Sequence, residues 1–251
     1  MYFSERHEQI ISILKERNSV TVQYLAARLH VSLPTIRRDL VLLEQNNRIK
    51  RTFGGAVLSS MTTDEIPLNL RESEESEAKE IIAKRATAFI RDGQVLFFDA
   101  SSTLLHIVKY LDRFRDLTII TNSPKMSLML AESNIKSFCT GGELLEKSIA
   151  YVGRIAEDFV ERFNADIFFF SCRGISEDGV LSDSSIAETD IRKKMMEYSQ
   201  KSIYLCTSGK IGKKYMYNFC SASDVDEIIC NAPLPAGIIE SQRHRSTSPI
   251  E

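Results

Sequence analysis

The sequence predicts an α/β chain in two unequal parts. A small helical head is closed by a β-hairpin, and a larger body alternates helices with the strands of a parallel sheet. Three observations lead there. Residues 32–43, SLPTIRRDLVLL, carry Ile36, Leu40 and Leu43 at helical spacing, and two shorter helical patterns precede them. Gly54-Gly55 then separates two short β-like segments. From residue 78 onward, short apolar runs alternate with amphipathic stretches, as strands and helices do in a parallel sheet covered on both faces. Charge divides the chain at the same place. Residues 1–58 hold nine Lys/Arg against five Asp/Glu, a net of +4, and the remainder holds 23 against 29, a net of −6. A basic head on an acidic body implies that only the head meets a polyanion.

In the head, residues 4–17 are expected as a first helix, capped by Ser4 and carrying Ile10, Ile11 and Leu14 on one side. Asn18-Ser19 interrupts it. A second short helix starts from Thr21 with Val22, Leu25, Ala26 and Leu29 facing inward, and His30-Val31 turns the chain. Ser32 then caps the third helix, because its hydroxyl can accept a bond from a free first-turn N–H. Pro34 suits that first turn, where its missing N–H is not needed. Thr35, Arg37 and Arg38 point away from the apolar face, so the helix anchors inward and offers a hydroxyl and two guanidinium groups outward. Alone it would equally be a surface helix with two solvated arginines. The helix and turn before it make it the second half of a helix-turn-helix. Asn46-Asn47 ends it. The segments 48–51 and 56–58 flank Gly54-Gly55 as a wing whose Lys50 and Arg51 can reach phosphates or the minor groove. The head, residues 1–58, is therefore a winged helix-turn-helix, and Ser32, Thr35, Arg37, Arg38, Lys50, Arg51, Gly54 and Gly55 are its expected DNA contacts. His7 and His30 are expected at the surface or in turns.

Residues 59–77 are polar, acidic and contain Pro67, and are expected as a linker with a short ordered piece at 66–71. The body spans residues 78–232. Strands are expected at 94–98, 117–120, 137–139, 167–170, 203–206 and 227–230. Helices are expected at 78–90, 104–113, 124–133, 155–163 and 191–199. The tail 233–251 reads as polar and frayed.

Ligands of such sheets bind beyond the carboxyl ends of the strands. Three loops there carry hydroxyls, amides or glycines: Asp99 to Thr103, with Ser101 and Ser102; Thr121-Asn122-Ser123, before Pro124; and Thr140-Gly141-Gly142. Helix starts with free N–H groups and nearby hydroxyls suit a phosphate. In a single loop such a cap is more often structural, but three at one end of one sheet point to a ligand. Lys210, in Ser208-Gly209-Lys210, can add a cation. Arg173, beside Gly174, can pair with a phosphate bidentately. Glu188, read as lying before the last helix, completes the rim.

The run from Arg6 through Val20-Thr21-Val22, Leu25-Ala26, Val31-Ser32, Thr35-Ile36-Arg37-Arg38-Asp39-Leu40, Leu43-Glu44 and Gly54-Gly55-Ala56 resembles the winged helix-turn-helix head of DeoR-type transcriptional regulators. Phe53 departs from the pattern, where His is common. The likeness spans nearly the whole chain. Asp99, Ser102 and Thr103, Thr121-Asn122-Ser123, Gly141-Gly142, Gly153, Gly174-Ile175, Gly179 and Ser208-Gly209-Lys210 resemble the sensor domain of the same regulators. That domain is related to phosphosugar isomerases and usually senses a phosphorylated sugar or related metabolite. Ser101 stands where Gly is usual, and Thr207 where Asp is common. The resemblance implies a sequence-specific DNA-binding regulator, a repressor of a sugar-metabolism operon. It would bind double-stranded operator DNA as a dimer or tetramer, since two half-sites need two heads. A small phosphorylated sugar would bind the body at Asp99, Ser101, Ser102, Thr103, Thr121, Asn122, Ser123, Gly141, Gly142, Arg173, Gly174, Glu188 and Lys210.

The five cysteines are odd in number and scattered without a CxxC pair, which favours buried free thiols over a zinc site or disulfide framework. No metal or cofactor is expected. No apolar run reaches membrane length and the N-terminus lacks a signal-type stretch, so a cytoplasmic protein without a membrane partner is expected. The competing function is a phosphosugar isomerase-like enzyme fused to a DNA-binding head. It would need a carboxylate base, for which Asp99, Glu188 and Asp190 are the candidates. No catalytic pair stands out among them, so a non-enzyme is expected.

Overall fold

A computed structural model describes residues 3–243 except 18, 46–47, 53 and 59–65. The chain forms two units, Met1–Ile66 and Pro67–Glu251.

The first unit holds helices α1 (Phe3–Arg17), α2 (Val22–Leu29) and α3 (Leu33–Gln45). Its antiparallel sheet has strands β1 (Ser19–Thr21), β2 (Ile49–Thr52) and β3 (Gly55–Leu58) in the order β1-β3-β2. Ile36, Leu40 and Leu43 lie buried against Ile10, Leu14 and Leu25, as their spacing predicts. β1 is an addition to the sequence reading, for Ser19 had looked like a break. It pairs Val20 with Ala56, so the wing is a three-stranded sheet. Thr21 ends β1 and caps α2, its hydroxyl accepting from the Tyr24 N–H at 3.1 Å. His30 closes α2 in the left-handed region at φ 54°. His7, by contrast, is buried and not a surface residue. Arg6 donates to both oxygens of the Asp39 carboxylate, at 2.6 and 3.0 Å, and His7 Nε2 lies 3.3 Å from it. The aspartate of TIRRDL thus fastens α3 to α1. The roles read for Ser4, Asn18, Asn46, Asn47 and Phe53 fall outside what the structure describes.

The second unit holds α4 (Leu68–Ser73), α5 (Ser76–Ala86), α6 (Ser102–Leu105), α7 (Pro124–Ala131), α8 (Arg154–Val160), α9 (Ile186–Glu197) and α10 (Ala236–Arg243). Its strands are β4 (Val95–Phe98), β5 (Thr118–Thr121), β6 (Lys136–Cys139), β7 (Glu143–Leu145), β8 (Ala150–Val152), β9 (Ala165–Phe170), β10 (Gly174–Ile175), β11 (Val180–Asp183), β12 (Ser199–Cys206), β13 (Tyr217–Ser221) and β14 (Glu227–Cys230). Six of them form a parallel sheet in the order β14-β12-β9-β4-β5-β6. Both faces are covered, so alternate residues of each strand enter different cores. Phe98, Ile119, Phe169 and Leu205 pack under α5, α6 and α7, whereas Phe97, Ile120, Phe168, Phe170 and Tyr204 pack under α8 and α9. Burial on both faces is why these strands read as unbroken apolar runs. The strand order reverses between β4 and β9, which opens a crevice at their carboxyl ends.

Four features differ from the sequence reading. Within the expected linker 59–77, α4 takes up the ordered piece expected at 66–71 and runs on to Ser73, and α5 already starts at Ser76. Leu68 is buried there and its N–H donates to the Lys147 carbonyl at 2.7 Å. The helix expected at 104–113 divides into α6 and a 3-10 segment, Val108–Arg113. α9 begins at Ile186, so Glu188 lies in its first turn and not before it. The expected polar tail contains α10, pinned by the fully buried Ile238. The β7–β8 hairpin and the small antiparallel sheet β10-β11-β13 are additions. All five cysteines are free thiols. Among the described residues no helix is long and apolar enough to cross a membrane, and no group of His, Cys, Asp or Glu is placed to hold a metal ion.

Candidate functional site

In the head, Ser32 Oγ accepts from the Thr35 N–H at 3.3 Å and lies 2.8 Å from Thr35 Oγ1. Ser32 caps α3 as its position predicts, and the Thr35 hydroxyl, read as an outward donor, joins it in the cap. Arg37 and Arg38 are exposed, and among the described residues no side chain pairs with either. Arg51 is differently placed. Its N–H donates to Glu44 at 2.9 Å and its Nε at 2.5 Å, which ties the wing to α3. These bonds hold the Glu44 carboxyl below the usual range. The two wing glycines have different reasons. Gly54 turns the chain at φ 86°. Gly55 is buried, and a Cβ there would lie 2.1 Å from the Val20 carbonyl oxygen, so it is a strand-packing position and not an exposed contact. A concavity of about 600 Å³ between α3 and the wing is lined by Arg37, Glu44, Arg51 and Gly54. The side chain of Lys50 lies outside what the structure describes.

The body gathers most of its predicted residues around the crevice, but it organises them through one residue the sequence did not disclose. Arg192, buried on α9, donates to Asp99 Oδ2 and Asp183 Oδ2 at 2.8 Å each and to Glu188 Oε1 at 3.4 Å. Asp99 also accepts from the Ser101 N–H at 3.0 Å and the Ser171 N–H at 3.2 Å, which closes the mouth of β4 onto β9. Arg173 stands 3.8 Å from Asp183. Burial pushes the Asp183 carboxyl up, but Arg192 and Arg173 outweigh it and hold it below the usual range. A helical Glu188–Arg192 pair beside the apolar Ile191 and Met195 is the one sequence signal of this cluster. A solvated face carries the same signal.

The body also holds three hydroxyls and one amide oxygen without partners. Ser101 Oγ, Thr103 Oγ1, Asn122 Oδ1 and Ser148 Oγ are buried and accept or donate no hydrogen bond among the described residues. A buried polar atom left so costs about 1–3 kcal/mol, and natural proteins leave few without a purpose. Ser102 is buried beside them. Lys210 Nζ donates to Ser171 Oγ at 2.5 Å. Lys79, buried on α5, was not anticipated. Its ammonium donates to the carbonyls of Arg71 and Glu74. Burial, reinforced by the charge of Lys210, brings its pKa down to about 8. Burial also lowers Lys210. The two ammonium groups are close enough to repel one another, and a negative charge between them would relieve that repulsion.

Other predicted residues serve the scaffold. Thr121 Oγ1 accepts from the Ser123 N–H, and Ser123 Oγ caps α7 by accepting from the Met126 N–H, each at 3.1 Å. Asn122 Nδ2 donates to the Tyr151 carbonyl at 2.9 Å, fixing the orphaned end of that amide. Gly141 takes φ 66° in the turn after β6. A Cβ on Gly142 would lie 2.6 Å from the Val152 carbonyl oxygen, and one on Gly174 2.5 Å from that of Lys213. Both are close-packing positions.

Two family models match the chain: a DeoR-like helix-turn-helix domain over residues 6–62 and a DeoR C-terminal sensor domain over residues 74–232. An uncharacterized HTH-type transcriptional regulator of Bacillus subtilis, YulB, is 34% identical over 95% of this chain and 93% of its own. The glycerol-3-phosphate regulon repressor of Escherichia coli is 29% identical over 94% of each chain. Among solved structures, the Pyrococcus horikoshii translation initiation factor eIF-2B covers 96% of this chain and 92% of its own, with a TM-score of 0.51 and 14% identity. That likeness is one of fold.

Proposed function

This chain belongs to the DeoR family of transcriptional regulators, and on that premise we propose that it represses a sugar-metabolism operon and that a phosphorylated sugar bound in its body releases it from DNA. The head grips double-stranded operator DNA through α3, with Arg37 and Arg38 as the reading side chains and the wing on the flanking backbone. The chain works as a homo-oligomer, because a two-fold operator needs two heads. The observation that carries the effector reading is the pair of buried, unpartnered hydroxyls Ser101 and Thr103 in the loop beyond β4, where the strand order reverses, with Lys210 in the loop beyond β12. A phosphate brings acceptor oxygens for those hydroxyls and negative charge for Lys79 and Lys210. Asp99 and Glu188 are better placed to orient the polyol than to act as bases. Both are engaged by Arg192, which occupies one oxygen of each carboxylate. This favours a sensor over an isomerase, and sustained turnover of a sugar phosphate by the pure protein would reverse that choice.

Control follows from linkage. An effector that prefers the arrangement unfit for DNA weakens DNA binding by the factor by which DNA weakens the effector. Lys210→Ala is the test. The variant is expected to bind operator DNA like the parent and to show no release by sugar phosphates in an anisotropy titration. Undiminished release would remove Lys210 from the site.

Affinity should also depend on pH. An anion favours the charged form of Lys79 and raises its pKa in the complex above the value of about 8. Binding is therefore tightest while free Lys79 is protonated and weakens as pH rises through 8. The phosphate loses its second charge below about pH 6, so calorimetric titrations should show the tightest binding between these limits.

A further inference from the structure

The chain enters the body through α4 and the corner before α5, and this corner is fastened at three places. The Leu68 N–H donates to the Lys147 carbonyl, in the turn between β7 and β8, at 2.7 Å. Glu72 pairs at 2.5 Å with Lys125, in the first turn of α7 beyond β5. The Glu75 carboxylate accepts from Thr207 Oγ1 at 2.6 Å and from the Gly209 N–H at 3.2 Å, beyond β12. β5 and β12 stand on opposite sides of the β4–β9 crevice, so a segment tied to both spans the carboxyl edge over the crevice. Glu75 holds this position in the left-handed region, at φ 50°.

What Glu75 occupies is a set of anion donors. Thr207 offers a hydroxyl and Gly209 an N–H, with Lys210 next in the chain. Lys79 lies close enough that Glu75 raises its pKa and Lys210 lowers it. The fit over Gly209 is close, for a Cβ there would lie 2.6 Å from Glu75 Oε1. Thr207 is also one of the two positions where the body leaves its family's pattern, and an aspartate there could not donate to Glu75.

We propose that Thr207, Gly209 and Lys79 form an anion seat in which Glu75 takes the place of an effector's phosphate, and that phosphate binding evicts Glu75 and unfastens residues 67–75. The inference rests on reading the body as a phosphate sensor. A phosphate carries more acceptor oxygens and more charge than a carboxylate, so it outbids Glu75 for the same donors once its concentration suffices. A tethered competitor sets a threshold. If Glu75 fills the seat nine-tenths of the time, the apparent affinity for phosphate is about tenfold lower than that of the open seat. The segment it releases continues through residues 59–66 into the head, so the strap is the first part of the body that could pass on the signal.

The test uses the full chain, with inorganic phosphate and glycerol 3-phosphate as separate probes and sulfate as the reference anion. Glu75→Gln removes the charge, Gly209→Ala forces the carboxylate out with a methyl group, and Glu77→Gln is the control, an exposed charge on the same corner. Glu75→Gln is expected to bind either phosphate about tenfold more tightly than the parent, and Glu77→Gln to match the parent. A response to glycerol 3-phosphate alone would assign the seat to an esterified phosphate. A response to both would assign it to the phosphate group itself. Amide hydrogen exchange in residues 67–75 should rise when the parent takes up phosphate, and should already be high in Glu75→Gln and Gly209→Ala without it. Unchanged or weaker affinity in Glu75→Gln, or phosphate-induced protection of residues 67–75, overturns the strap. If that occurs while phosphate still binds and Lys210→Ala abolishes it, the sensor reading survives. If no folded variant binds either probe, both fall together.

Discussion

Arg192→Leu is expected to cost the body about 3–5 kcal/mol, the loss found when one partner of a buried ion cluster is removed. Arg192 is buried and is the common partner of Asp99, Asp183 and Glu188, themselves buried. Leucine fills part of the volume but leaves three buried carboxylates without their shared partner. The variant should also weaken the response to pH. In the parent, Asp183 has a folded pKa below its unfolded value. Its contribution is therefore present above the unfolded value and is lost as pH falls through the folded one. Without Arg192 the largest charge that opposes burial at Asp183 is gone, so this contribution shrinks and the rise of stability with pH flattens. Urea melts followed by circular dichroism at pH 5 and pH 8 would read this, since the chain has no tryptophan. A variant as stable as the parent at both would mean that Arg192 does not organise the site.

Arg37→Ala and Arg38→Ala are each expected to cost operator binding on the order of 1–3 kcal/mol, roughly 5- to 150-fold, if the side chain reads a base edge. A side chain that contacts only phosphate should instead weaken all sequences alike and lower the salt dependence by about one ion. Neither change should touch the fold of the head, because both residues are exposed and the α3 core is Ile36, Leu40 and Leu43. Arg51→Ala should differ, loosening the wing through the lost bonds to Glu44. Anisotropy titrations at several salt concentrations separate the cases. Unchanged operator affinity in both arginine variants would mean that α3 is not the reading helix.

The sequence disclosed elements whose signal is local and strong. Three apolar residues at helical spacing placed the inner face of α3, and unbroken runs such as Phe168-Phe169-Phe170 marked strands buried on both faces. It hid elements whose signal is short or mixed. β1 is three residues long and β10 two, and β11 and β13 interleave polar and apolar positions. α10 hid behind the polar residues that follow it. In the site, the loops with hydroxyls and glycines were visible because turn chemistry needs those residue types. The sequence could not say which hydroxyls cap helices, as Ser123 does, and which stay without partners, as those of Ser101 and Thr103 do. Arg192 and Lys79 were missed for one reason. Charged residues on amphipathic helices normally face water, and only tertiary packing shows that these two are buried.

The most direct test of coupling between the crevice and the head is a reciprocal titration. An operator fragment would be selected by the protein from genomic DNA. Binding of an active sugar phosphate would then be measured with and without that fragment, alongside DNA binding with and without the sugar phosphate. The expected result is the same factor in both directions, on the order of 5- to 150-fold, with both effects absent in Lys210→Ala. A sugar phosphate that binds the body tightly while leaving operator affinity unchanged would contradict control of the head by the crevice.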